Sequence, residues 1–346
     1  MTRIKLYPHE WPEADQQIWS GLQARGNPLD GVGAFAHLRA STIAQHEAGY
    51  GRWIAWLKET DPAALRDAPL SRIKPERVVA WMSSMGADAA YSRVMRLDTL
   101  IRIIVAVDRE TNVTKLRRIR AIHFAQAQDR NGERKHGRIL SGAVLLQAGL
   151  ALAGQHADAG STLERMQKLR DGAMLAFLAL LPIRRRAFVG LELGRSVLLT
   201  AHSIEIALSP EMTKTGNTWT AMVPDPLEGL LRHYLSNSRP FLLRRGDETH
   251  TMLWVADSGR PMGYSYMGRR ICDLTARMTG VRVPPHFFRD AAATTLARES
   301  PEHARSAGPL LGHTSFRTAE KHYNHARVIE AGRDYNESLR RIRSQS

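Results

Sequence analysis

Residues 196–224, SVLLTAHSIEIALSPEMTKTGNTWTAMVP, are where the texture of this chain turns from helical to β. Three short runs, SVLLT (196–200), SIEIALS (203–209) and TWTAMVP (218–224), are rich in β-formers and partly alternate apolar with polar residues. That pattern belongs to half-buried strands. The turn-like Thr213-Lys-Thr-Gly-Asn217 separates the last two, so the stretch predicts a small antiparallel sheet with a tight hairpin. Working outward, the spacing is helical on both sides. Ser141 is placed to cap a helix running toward Ala153, and 162–182 is a long apolar helix ending at Leu-Leu-Pro182. Downstream, helices are predicted at 226–237, 263–279 and 286–298, then at 301–311, 315–323 and 329–343. Further upstream, 34–57 carries apolar residues at helical spacing, and Pro75 opens a helix through Met85 at its first turn. Helices at 87–107 and 113–127 follow, the last one basic. The fold class is therefore mainly α with a small antiparallel β-sheet.

The length of 346 residues allows two domains of roughly 100–200 residues each. With 43% hydrophobic and 24% charged residues, a mostly disordered chain, a collagen-like chain and a disulfide scaffold are excluded. Cys272 is the single cysteine, so a reducing compartment is expected. The N-terminus has no apolar run suited to a signal peptide. The oiliest stretch, Ile139 to Gly154, carries Gln147 and three glycines and falls short of the roughly 18 apolar residues of a membrane span. A cytoplasmic protein without a membrane partner is expected.

Lys plus Arg is 49 against 34 Asp plus Glu, a net charge of +15. Nucleic acid is the first candidate partner, an anionic membrane surface the second, and a merely basic soluble protein the bland alternative. Residues 101–150 hold ten Lys/Arg and four Asp/Glu, a local +6, whereas residues 1–50 hold four and five, a local −1. Lys115, Arg117, Arg118, Arg120, Arg134, Lys135 and Arg138 are the candidate DNA-binding cations of that stretch. The polar run from Gln128 to His136 reads as a linker between domains.

Chemistry concentrates near the C-terminus. Pro285-His-Phe-Phe-Arg-Asp290 puts His286 and Arg289 three apart, on one helical face. Leu310-Leu-Gly-His313 follows, then Tyr323. Here the sequence resembles the tyrosine recombinase family, the phage-type integrases. HFFRD resembles the family's H-x-x-R box, and LLGHTSFRTAEKHY its L-G-H box followed by the nucleophilic tyrosine. LLPIRRRAFVGLELG resembles the turn carrying the first arginine, and the spacing to Gly190 selects Arg184, with Arg184 to Arg186 leaving the register open by one residue. Lys214 resembles the β-hairpin lysine. The family often has a Glu three residues after the first arginine, where this chain has Ala187.

The resemblance implies a two-domain DNA clamp. Residues 35–128 would be the helical core-binding domain, 129–139 a basic linker and 140–328 the catalytic domain. Residues 1–34 have no assigned role, and 329–346 form a tail with a short amphipathic helix that is a candidate for subunit docking. It also implies site-specific recombination of double-stranded DNA through a 3′-phosphotyrosine, by a homo-oligomer that is tetrameric in synapsis. The residue types fit that chemistry. A nucleophile attacking a phosphodiester builds negative charge on the non-bridging oxygens, and the guanidiniums of Arg184 and Arg289 are fixed, permanently charged donors for them. His313 adds a third donor. Tyr323, with an ordinary pKa near 10, needs the surrounding positive charge and His286 as a base. Lys214 would then be the general acid that gives the departing 5′ oxygen its proton. No metal, ATP or other cofactor is called for, and the histidines show no zinc-ligand spacing.

Among the eight tyrosines, Tyr335 lies beyond the family's spacing, Tyr50 and Tyr91 fall in the N-terminal half, and Tyr264 and Tyr266 precede the H-x-x-R box. Two other functions use the same features: a type IB topoisomerase relaxing one duplex, and a non-catalytic DNA-binding protein. The hairpin position of Lys214 gives a direct test. Lys214→Ala should slow strand cleavage, and a 5′-phosphorothiolate leaving group, which needs no proton, should restore it. Failure of that rescue removes Lys214 from the acid role.

Overall fold

The computed structural model describes residues 5–26, 31–86, 90–135 and 137–299. The chain divides into two compact units, 1–135 and 136–346. His313, Tyr323 and the tail lie outside the described residues.

The first unit is helical: α1 (Glu13–Gln23), α2 (Ala40–Thr60), α3 (Pro75–Ser84), α4 (Ala90–Val107) and α5 (Thr114–Lys135). Its core is built around Trp53, Leu57, Val78, Trp81, Leu97 and Leu100. Trp53 meets Trp81 edge-on at 5.2 Å, an arrangement favoured by the aromatic quadrupole. Residues before 34, which the sequence left without a role, add α1 to this core. Trp11, Trp19 and Leu22 are buried there. Asp15, between them, accepts from Tyr50 Oη at 2.6 Å and from Arg72 Nη1 at 2.7 Å. The expected linker is also partly revised. α5 runs on through Lys135, past Gln128, and the division between units falls after it. The Gln, Glu, Arg and Lys of that run are good helix formers and outweigh its single glycine.

The second unit opens with α6 (Gly142–Gly154) and α7 (Thr162–Leu180). Ser141 and Ser161 cap them by accepting from Val144 N and Glu164 N. The helices touch backbone to backbone at Gly149, where a Cβ would stand 2.5 Å from Ala176 N. α7 is the central helix, buried almost continuously from Leu169 to Leu178. A short helix α8 (Arg185–Val189) follows, then β1 (Val197–Leu199), β2 (Ile204–Leu208) and β3 (Trp219–Met222). The strands form one antiparallel sheet in the order β1-β2-β3, with Val197 opposite Ile206 and Ile206 opposite Ala221. Ile204, Ile206 and Leu208 face the core on alternate positions. The β2–β3 connection is not a tight hairpin. It spans 209–218 and is closed by Thr213 Oγ1 donating to Pro210 O at 3.2 Å and Asn217 O at 2.8 Å.

The remaining helices are α9 (Leu227–His233), α10 (Arg239–Gly246), α11 (Tyr264–Thr279) and α12 (Pro285–Glu299); a π-turn over Tyr234–Ser238 joins α9 to α10. Among the described residues, no helix is long and apolar enough to cross a membrane. The fold class is as expected, mainly α with a three-stranded antiparallel sheet.

One buried histidine in the first unit has a measurable consequence. Thr99 Oγ1 donates to Met95 O at 3.2 Å and therefore accepts from His46 Nδ1–H at 3.1 Å. His46 Nε2 is buried without a partner among the described residues. Burial, then the charge of Arg102, lowers the His46 pKa below its ordinary value. The unfolded chain thus binds more protons just below pH 6.5. The sign follows: this site's contribution holds above about pH 6.5 and is lost as pH falls below it. In thermal melts between pH 7.5 and 5.5, His46→Gln should flatten that acid-side loss relative to the unaltered protein.

Candidate active site

The turn that leaves α7 is Leu181-Pro-Ile-Arg184, and Arg184 is the residue that caps α8. Its backbone is extended and its side chain makes no capping bond. α12 begins at Pro285, whose missing N–H costs nothing in a first turn. One turn further, Arg289 Nη1 donates to Pro182 O at 2.6 Å. That bond fastens α12 to the segment just before Arg184. The two guanidiniums are close enough to repel. Burial, the positive charge of Arg184 and, in the opposite sense, Asp290 set the Arg289 pKa, which falls to about 10. Burial also lowers Arg184. Among the described residues, the Arg184 guanidinium has no carboxylate or carbonyl partner.

The three consecutive arginines now separate. Arg184 lies near enough to Arg289 for its charge to lower that residue's pKa. Arg185 lies on α11, its Cζ 3.7 Å from the Tyr264 ring centroid. Arg186 is exposed. Of the three, Arg184 is the one whose charge bears on Arg289. Ala187 is buried, with no carboxylate at the position where one was sought.

His286 is exposed at the start of α12, edge-on to Phe287 at 4.6 Å. Arg138, expected as a linker contact to DNA, belongs to this region. It donates to Arg282 O at 2.9 Å, and its Cζ lies 5.4 Å from the Phe287 ring. Lys214 is exposed on the β2–β3 connection. The base of that connection reaches the end of α8, since a Cβ at Gly190 would stand 3.8 Å from Met212 Cε.

In the first unit, Lys115, Arg117 and Arg118 are exposed on α5. Arg120 is engaged internally, paired with Asp98 of α4 and set over the Phe124 ring. For Arg134 and Lys135 only the helical backbone is described. The sequence reading missed a cleft of about 330 Å³ between α2 and α4, lined among others by Gln45, Arg52, Ser92, Arg96 and Thr99. The helices close on one another beneath it at Gly49, where a Cβ would stand 2.8 Å from Thr99 Oγ1. The available signal was an arginine on each of two helices beside small and polar residues, Gly49 on one and Ser92 and Thr99 on the other. Among the described residues, no cluster of His, Cys, Asp and Glu is arranged to hold a metal ion.

Arg184, half-buried and without a carboxylate partner among the described residues, and the neighbouring Arg289 make this a locally positive region. Comparison with known proteins agrees with the chemistry. The phage integrase family model matches residues 155–329, and the chain belongs to that family. The matched span contains Arg184, Lys214, His286, Arg289, His313 and Tyr323. No curated protein matches the chain. Among solved structures, the fold is similar to that of the XerH site-specific recombinase bound to difH substrate in a pre-cleavage complex. That match has a TM-score of 0.61 at 14% identity and covers 95% of this chain and 98% of that one. The post-cleavage complex of the same recombinase on palindromic difH gives 0.60 at 13% identity, covering 96% and 99%. The Tn1549 transposon integrase in complex with circular intermediate DNA gives 0.53 at 14% identity, covering 89% and 94%. The fold is thus that of tyrosine recombinases across both units.

The repulsion predicts a trade between stability and anion binding. At low salt, Arg184→Gln should melt at the same or a higher temperature than the unaltered protein in scanning calorimetry. Sulfate should stabilise the unaltered protein through ligand linkage and stabilise the variant less. A variant that melts several degrees lower, with full sulfate response, contradicts an anion site at Arg184.

Proposed function

We propose that this member of the phage integrase family is a site-specific recombinase that cuts and rejoins duplex DNA through Tyr323. The observation that carries the reading is the neighbouring pair Arg184 and Arg289, half-buried and mutually repelling. A phosphodiester between them brings the missing negative charge, and further charge develops on its oxygens as the reaction proceeds.

The step is written as follows. Tyr323 Oη attacks the scissile phosphorus as its proton passes to His286. The bond from phosphorus to the 5′ oxygen breaks, and Lys214 gives that oxygen a proton. The products are a 3′-phosphotyrosine and a free 5′-hydroxyl. His313 is assigned a donor role at the same phosphate. Attack by the 5′-hydroxyl of another strand reverses the chemistry and releases Tyr323. The phosphodiester energy stays in the adduct, so the step as written calls for neither a nucleotide nor a metal ion.

Each unit contributes its own DNA-facing groups in this reading. Lys115, Arg117 and Arg118 lie along α5, and Arg52 and Arg96 border the α2–α4 cleft. Phosphate contacts by these cations make affinity fall steeply with salt. Strand exchange between two duplexes calls for several copies of the chain, which we assign to a tetrameric synapse. The solved relatives named as recombinases or integrases bound to substrate or intermediate DNA support this reading.

The test is a nicked suicide duplex carrying the protein's own recombination site. That site is mapped by sequencing cleavage ends on the flanks of its gene. The unaltered protein should become covalently attached to the 3′ end. Tyr323→Phe should bind the duplex with unchanged affinity and form no adduct. An adduct that persists in Tyr323→Phe moves the nucleophile to another residue.

A further inference from the structure

We infer that Arg185 is a positioning residue: by stacking on Tyr264 in a notch opened by Gly268, it locks α8 to α11 and thereby holds Arg184 toward Arg289. This inference rests on the phosphate-binding role proposed for Arg184.

α8 is a helix of one short turn, Arg185–Val189, and its cap residue Arg184 makes no side-chain capping bond. Local hydrogen bonding therefore does little to fix the direction in which Arg184 leaves the backbone. Packing has to do so. Ala187 and Phe188 bury the underside of the helix in the core, and Ala187 has no polar atom with which to orient a guanidinium. On the other side, Arg185 extends to α11. Its Cζ sits 3.7 Å from the Tyr264 ring centroid, a close cation–π stack. Its Nη1 occupies the space where residue 268 would carry a side chain, since a Cβ on Gly268 would stand 2.2 Å away. Among the described residues, Arg185 makes no ion pair. Its attachment is thus stacking and shape alone, with a flat cation between an aromatic face and a helix backbone. Adjacent arginines take opposite roles, one held and one presented.

Gly268 makes the idea testable without touching Arg185. Gly268→Ala raises helix propensity in α11, yet it evicts the Arg185 head from its notch. The experiment uses the full chain on the nicked duplex, with DNA affinity measured at fixed salt and single-turnover adduct formation as the rate. Arg185→Ala and Gly268→Ala should each slow adduct formation by on the order of 10- to 100-fold, with affinity within about twofold. The double variant should be no slower than either alone, and Tyr264→Phe, which keeps the ring face, should retain the rate. On a duplex with a methylphosphonate at the scissile position, which removes the charge Arg184 serves, the Arg185→Ala penalty should shrink toward unity. A normal rate in Arg185→Ala overturns the positioning role. So does a loss that appears equally in affinity, or one that persists undiminished on the methylphosphonate. Absence of adduct with the unaltered protein overturns the strand-cleavage reading itself, and the positioning role with it.

Discussion

The approach of two like charges, Arg184 and Arg289, is the constraint on which the second unit depends. Arg184 and Arg289 are drawn into a half-buried setting by α8 and α12, and both lose basicity there. Folding brings them together because the bond from Arg289 to Pro182 O ties α12 to the turn after α7. In the function proposed above, a phosphate bound between them offsets the Coulomb cost of that approach.

The same unit contains the opposite solution to the same problem. Arg170 is fully buried on α7, yet its pKa is raised. It donates to Asp171 at 2.9 Å, to Asp257 at 2.6 Å and to Val255 O at 3.1 Å. Arg270 of α11 donates to the other oxygen of Asp171 at 3.0 Å through Nε. These charges are paired with carboxylates, and they hold α7, α11 and the 255–257 segment in register. Arg184 lacks such a carboxylate, and for Arg289 the neighbouring Asp290 offsets only part of the burial and repulsion. Within one core, then, Arg170 and Arg270 are paired with carboxylates, whereas Arg184 has none among the described residues. Arg185 is a third kind, held by an aromatic face, and it couples the frame to the site.

Much of this was legible in the chain. The β-rich 196–224 stretch and the helical spacing around it pointed to the three strands and most helices, because alternation and a 3.6-residue period follow directly from burial on one face. The H-x-x-R spacing placed His286 and Arg289 on one helix. What escaped reading has physical causes. α1 was obscured because Asp15, a carboxylate, occupies a core position between Trp11 and Trp19, and only Arg72 and Tyr50, far along the chain, make that burial affordable. The boundary between units falls within the expected linker, but α5 runs into it because a polar run without turn-forming φ constraints continues a helix as readily as it ends one. Thr-Gly-Asn resembles a two-residue turn, whereas Thr213 closes a wider loop by bonding across it. The surroundings of Arg184, Arg185 and Arg186 differ through tertiary contacts that spacing does not reveal, since adjacent side chains on a short helix point in different directions. The α2–α4 cleft joins residues that are far apart in sequence, such as Arg52 and Arg96.

The most direct measurement is a crystal or cryo-electron microscopy structure of the protein trapped on its cleaved duplex as the covalent adduct. The account predicts that the guanidiniums of Arg184 and Arg289 both lie within about 3 Å of non-bridging oxygens of the one phosphate bonded to Tyr323, with Arg185 still stacked on Tyr264. A phosphate held by Arg185 or Arg186 in place of Arg184, or Arg184 and Arg289 engaged on different phosphates, would contradict it.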